Sequence, residues 1–162
     1  MTDQAPGLWV RTTVDPVTGV PQAVADMRAA IVTAALACDF NELARLALAG
    51  DRPFTASFGG GEDPAELWRA AEARGDDLTA DLVRILAMSW TTQDTQFETD
   101  VYTTIWTWPA AFGDGATEAD WAEVADLYSA EEIAQMKDFG GYIGWRAGFT
   151  EDGDWVFFVA GD

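Results

Sequence analysis

The C-terminal stretch constrains the fold of this chain more than any other. Two β-rich runs, 142–149 (YIGWRAGF) and 155–160 (WVFFVA), flank Thr150-Glu151-Asp152-Gly153-Asp154. An Asp-Gly step between such runs is the strongest short-range hairpin signal, because both residues tolerate the left-handed backbone of a tight reversal. The spacing predicts an antiparallel hairpin. Its first strand has two unequal sides: Ile143, Trp145, Ala147 and Phe149 form an ordinary core face, whereas Tyr142, Gly144, Arg146 and Gly148 set an arginine between glycines. Glycine weakens a strand and marks close approach by another group. On one reading, Arg146 and Tyr142 project into a concavity and hold a carboxylate or phosphate through the planar guanidinium. On the other, Arg146 pairs with one of the chain's many carboxylates, and the glycines admit sheet curvature or aromatic packing.

Further strands are needed beside such a hairpin. The run 101–108 (VYTTIWTW) is rich in β-formers and stops at Pro109, with Val101, Thr103, Ile105 and Thr107 on one face and Tyr102, Thr104, Trp106 and Trp108 on the other. Residues 91–100 are polar and read as a loop or ragged hairpin. Residues 53–58 (PFTASF) read as a strand before a flexible Gly59-Gly60-Gly61 loop, and 8–14 (LWVRTTV) as a strand closed by a turn at Asp15-Pro16-Val17-Thr18-Gly19.

Helical periodicity fills the intervals. Val24, Met27, Ile31, Ala34, Ala35 and Cys38 recur on one stripe, which makes Cys38 a buried small hydrophobe and puts Arg28 on the opposite side. Asp39 and Glu42 have capping-box spacing before Phe40, Leu43 and Ala47, with Gly50 as the stop. Asp63 precedes Pro64 at a first helical position, with Glu66 reaching back and Leu67, Trp68 and Ala71 inward until Gly75. A fourth helix starts near Asp77, carrying Leu78, Leu82, Ile85 and Leu86, with the Asp81/Arg84 pair on its wet side. Thr117 and Ser129 cap two more segments whose inward residues are Trp121, Val124, Tyr128, Ile133 and Met136, and Gly140-Gly141 ends the last. Together these elements predict one α+β domain over residues 1–162, with helices packed on one face of a curved, mostly antiparallel sheet.

Charge limits the chemistry. The 162 residues include 28 acidic and 9 basic side chains, no histidine, a single lysine (Lys137) and a single cysteine (Cys38). Histidine triads and histidine metal sites are therefore excluded, and a net charge of −19 opposes nucleic acid. No run approaches the roughly 18 apolar residues of a membrane span, and MTDQAPGLWV lacks the basic start of a signal peptide. One cysteine forms no internal disulfide, so the expected location is the cytoplasm, although a removed secretion leader is compatible with the sequence. The acidity fits a salt-adapted host or a solvated surface. It also fits a face for a basic protein, best seen where Asp114, Glu118, Asp120, Glu123, Asp126, Glu131 and Glu132 run without a basic residue until Lys137.

Acid–base work is left to Asp, Glu, Tyr, Cys38 and Lys137, and no spacing singles out a catalytic pair. Asp152-Gly153-Asp154 and Asp114-Gly115 are turn chemistry without the rest of a calcium loop, and the triple glycine lacks the Lys-Ser/Thr of a phosphate loop. No metal or cofactor is expected. Of eight tryptophans, Trp106 and Trp108 lie on a predicted strand and join Arg146 and Tyr142 as candidate ligand-binding residues. The expectation is a non-enzymatic binding protein, monomeric or homodimeric, that takes a small-molecule ligand or a basic protein partner. The alternative is a hydrolase or isomerase using carboxylates and tyrosine in the same pocket.

The segment Gly140-Gly141-Tyr142-Ile143-Gly144-Trp145-Arg146-Ala147-Gly148, with the run from Asp152 to Asp162, resembles the closing segment of small uncharacterised bacterial proteins. Phe54 to Phe58 with the following glycines and Asp63-Pro64 resembles them too. That resemblance implies no activity. The order of a helical pair, a strand, more helix and a terminal curved sheet is similar to the nuclear-transport-factor-2-like cone, which implies helices closing one side of a bent sheet to leave a pocket.

Overall fold

The computed structural model describes residues 15–56, 63–98 and 101–161. The strand expected at 8–14 and the Gly59-Gly60-Gly61 loop lie outside them. In chain order the described elements are α1 (Gln22–Leu36), α2 (Phe40–Leu48), β1 (Thr55–Ala56), α3 (Pro64–Ala73), α4 (Leu78–Leu86), β2 (Thr91–Glu98), β3 (Val101–Trp108), α5 (Glu118–Glu123), α6 (Ala130–Phe139), β4 (Arg146–Phe149) and β5 (Trp155–Val159). Short 3-10 turns at Ala110–Phe112 and Val124–Asp126 flank α5. The strands form one mixed sheet in the order β1-β5-β4-β3-β2, so the protein is α+β. Every pairing is antiparallel except β1 with β5, where Thr55 faces Phe157. No described helix is long and apolar enough to cross a membrane.

The C-terminal hairpin forms as its turn chemistry requires. Gly153 takes a φ of +86°, its N–H donates to the Thr150 carbonyl at 2.9 Å, and the Thr150 N–H donates to the Asp154 carbonyl at 3.0 Å. Its first strand is shorter than alternation suggests and starts at Arg146. Two tyrosine hydroxyls take the Trp145 N–H and carbonyl, so the chain just before β4 has side-chain partners in place of a ladder. The polar 91–98 stretch is a full edge strand: β3 supplies its ladder from Thr91↔Thr107 to Glu98↔Val101, with an irregularity between Gln96 and Glu98.

Helices α1 to α4 cover one face of the sheet. Trp108, Ala147, Phe149, Trp155 and Phe158 meet Val24, Ile31, Leu43, Trp68, Leu82 and Ile85 in one buried cluster. Trp68 stacks on Trp155 at 5.6 Å, and Phe54 meets Trp155 edge-on at 4.8 Å. A second cluster, with Val124, Met136 and Tyr142 buried and Trp121, Tyr128, Ile133 and Ile143 around them, holds α5 and α6. The caps read from sequence are present at Asp39 and Asp63, and Thr117 and Ser129 form complete capping boxes with Asp120 and Glu132.

Three expectations are corrected. Arg28 is 6% exposed and does not face away from the core. Its Nε and Nη2 donate to the Leu86 carbonyl (2.9 and 2.6 Å), and its Nη1 donates to the Asp15 carbonyl at 3.1 Å, so it satisfies an orphan acceptor at the end of α4. Cys38 is off the stripe because α1 ends at Leu36; it is half-buried with a φ of +52°. The Asp81–Arg84 ion pair forms at 3.0 Å but is partly buried, not wet. At Asp77 a helix does begin, yet the carboxylate makes no capping bond.

Candidate functional site

The segment joining α6 to β4 carries Tyr142 and Trp145 and leads into Arg146. Helix α6 stops at Gly140, whose φ of +123° suits glycine and turns the chain back under the helix. Tyr142 then enters the second cluster, 3% exposed, with its ring edge-on to Trp121 and Tyr128 at 6.1 Å each. Its hydroxyl donates to the Trp145 carbonyl at 2.6 Å, and the Trp145 N–H donates to the Tyr128 hydroxyl oxygen at 2.8 Å. Burial raises both phenol pKa values above the ordinary range, and Tyr128 pushes that of Tyr142 further.

The two glycines around Arg146 keep space for rings of this same chain. A Cβ on Gly144 would lie 2.6 Å from the Tyr128 ring and hydroxyl, and one on Gly148 would lie 2.3 Å from the Phe157 ring and 2.8 Å from Ile105. Arg146 lies on the sheet face opposite α1–α4, since its neighbour Ala147 points into their core. Its Nη1 donates to the Gly144 carbonyl at 3.1 Å and its Nη2 to the Gly161 carbonyl at 2.9 Å. The guanidinium sits 5.0 Å from the Phe112 ring centre. Burial lowers its pKa, and no described carboxylate pairs with it.

The fold brings Tyr142 and Arg146 together and places the other two candidates elsewhere. Trp108 is fully buried on the helix side of the sheet, where the Arg28 guanidinium lies 5.9 Å over its ring. Trp106 points the same way, half-buried at the edge of that core. The acidic stretch is largely absorbed by local structure: Asp120 and Glu132 complete capping boxes, Glu123 accepts from the Ser89 N–H and hydroxyl, and Glu118 holds Lys137 at 3.3 Å. Asp114, Asp126 and Glu131 remain exposed.

Two clefts flank the 139–145 segment. One, of about 540 Å³, lies between it and β2, with Asp94, Phe112, Asp114, Phe139 and Tyr142 in its walls. The other, of about 560 Å³, lies beside α6 and is lined by Tyr128, Glu132, Met136, Phe139, Ile143 and Trp145, among others. Phe139 is 60% exposed and lines both. Among the described residues neither cleft presents a lysine or arginine, and Arg146 lines neither.

No known protein family, curated protein or solved structure matches this chain. The chemistry of the clefts is therefore read from their residues. Among the described residues no group of three or more Cys, Asp or Glu converges as a metal ion would need. Sequence reasoning missed Phe139, whose one signal was a large ring off the Ile133/Met136 stripe immediately before the helix stop. It also missed Glu132 as a cleft wall, because its capping role explained it fully.

Proposed function

We propose that this chain is a non-catalytic binding protein for cationic ligands, with its site in the two clefts beside the 139–145 segment. The observation that carries the reading is the lining itself: aromatic and acidic residues with, among the described residues, no basic side chain. A chain with a net charge of −19 raises the local concentration of cations and disfavours anions. The absence of Arg146 from both linings, with its guanidinium bonded to the Gly144 and Gly161 carbonyls, supports a role in fastening the segment after β5 and weakens an anionic ligand. The tyrosines, held protonated and hydrogen-bonded, offer no base for hydrolase or isomerase chemistry.

The test is an NMR titration of the full chain with matched small amines and small carboxylic acids at low and high salt. Amines are expected to shift the amides of residues 139–145, with affinity falling as ionic strength rises. Carboxylic acids binding as tightly as amines, or amine binding indifferent to salt, would refute the reading.

A further inference from the structure

We infer that the groove between α5 and α6 docks a basic amphipathic helix of a partner protein. The inference goes beyond the small-cation reading and concerns a different face of the molecule. Helix α5, with the 3-10 turn after it, sends Trp121, Ala122 and Ala125 to this groove, and α6 sends Ala130, Ile133 and Ala134. Glu118 and Lys137 line its end away from the connection between the helices. Each helix therefore offers positions i, i+3, i+4 and i+7: 118, 121, 122 and 125 from one, and 130, 133, 134 and 137 from the other. Two neighbouring rows of this kind leave a furrow into which a third helix fits its own ridge.

The furrow is apolar and open to water. Its four alanines are exposed, and Trp121 and Ile133 are only half-buried. A volume of about 330 Å³ takes the anchoring side chains of a helix, and the short alanine side chains let the helix backbone come close.

Charge selects the partner. Residues 117–139 carry seven acidic side chains, and Lys137 is the single base between Arg84 and Arg146. Asp126, Glu131 and Asp138 each directly follow a groove residue and are exposed, and the Glu118 side chain is 90% exposed. Carboxylates thus edge an apolar floor, which complements a helix with apolar anchors on one side and lysine or arginine beside them. A second copy of this chain is a poor occupant, because it brings the same acidic rim and a net charge of −19. An anionic membrane surface is disfavoured for the same reason.

Lys137 shows the contact that such a partner makes. Its ammonium lies 5.3 Å over the Trp121 ring and meets the two Glu118 oxygens at 3.3 and 3.4 Å. A cation on the indole and on a rim carboxylate is what a partner's lysine or arginine offers along the rest of the groove. Lys137 also competes with that partner, since it engages Glu118 and covers part of Trp121.

The experiment is an NMR titration of the full chain with three synthetic peptides: leucines and lysines in helical amphipathic register, a scrambled peptide of the same composition, and a version with glutamate in place of every lysine. The amphipathic peptide is expected to bind about tenfold tighter than the scrambled one, with shifts across residues 118–137 and affinity falling as salt rises. The glutamate version should not bind. Ala134→Gln lengthens an exposed helical side chain without changing charge, so the variant should fold, and by filling the groove it should weaken the amphipathic peptide several-fold. Lys137→Gln should tighten it. A scrambled peptide that binds as tightly would overturn the inference, since net charge alone would then explain binding. Binding of the glutamate version, shifts confined to residues 139–145, weaker binding by Lys137→Gln or no binding of the amphipathic peptide would overturn it too. A dimer of the free chain in sedimentation, lost in Ala134→Gln, would give the groove to a second copy and overturn the basic-helix partner.

Discussion

Arg28 gives the most quantitative test of how this fold is held. Its guanidinium bonds two carbonyls on different segments and faces a buried ring. Arg28→Met keeps most of the apolar stem and removes the fork. The Leu86 carbonyl, at the end of α4, then becomes a buried acceptor without its partner, at a cost of about 1–3 kcal/mol. Loss of a cation at a partly buried helix C-terminus adds about 0.3–2 kcal/mol, and loss of the contact with Trp108 about 0.5–1 kcal/mol. Opposing these is the desolvation of the charge, the main reason the Arg28 pKa is lowered, which methionine removes. The expected net destabilisation is about 2 kcal/mol. With a urea slope of about 2 kcal/mol per molar, the unfolding midpoint falls by about 1 M. Arg28→Lys, which keeps the charge and loses the planar fork, should lie between the two. A methionine variant that unfolds at or above the wild-type midpoint would refute the reasoning, because desolvation would then outweigh every bond that Arg28 makes.

Other perturbations follow from the same contacts. Gly144→Ala places a methyl 2.6 Å from Tyr128 and should cost about 1–3 kcal/mol, seen as a lower midpoint; an unchanged midpoint would mean that Tyr128 yields freely. Burial holds the Asp81 carboxyl above its usual range despite Arg84, so its ionised form costs stability at neutral pH. Asp81→Asn should therefore be the more stable at pH 7, with the gap closing as pH falls through the raised folded-state value and gone below about 3.9, the ordinary carboxyl value. A gap that does not change with pH would exclude this cause. Tyr142→Phe should lose about 1 kcal/mol at pH 7 with the bond to the Trp145 carbonyl. Because the folded-state phenol pKa is raised, wild type loses stability once pH passes the unfolded value of about 10, so the deficit of the phenylalanine variant should shrink there; melting temperatures across pH 8–11 measure it.

Local signals were legible wherever one short stretch decides its own conformation. Thr117 and Ser129 each sit three residues before an acid, and both capping boxes form. The Asp-Gly turn makes its hairpin, and the β-rich run ending at Pro109 is β3. The errors share a cause. Helical period alone points Arg28 outward, but a long side chain beside the apolar stripe curls inward where a distant helix ends. The strand expected from Tyr142 begins only at Arg146, because distant Tyr128 takes a backbone donor that the ladder would have used.

The candidate site divides along the same line. Sequence singled out Arg146 between glycines and asked what fills the space; the structure answers with the Tyr128 and Phe157 rings, which no local pattern near Arg146 names. It grouped Trp106 and Trp108 with Arg146 as aromatic neighbours, whereas strand alternation turns the tryptophans to the helix side and the arginine to the other. By itself the sequence determined the excluded chemistry, the caps, the turns and the α+β class, since these depend on residue type and short spacing. Only the tertiary structure decided which side chains share a cleft and which distant groups bond to one another. Those outcomes depend on contacts between segments far apart in the chain, such as Arg28 with Leu86 and Tyr128 with Trp145, and local periodicity carries no record of them.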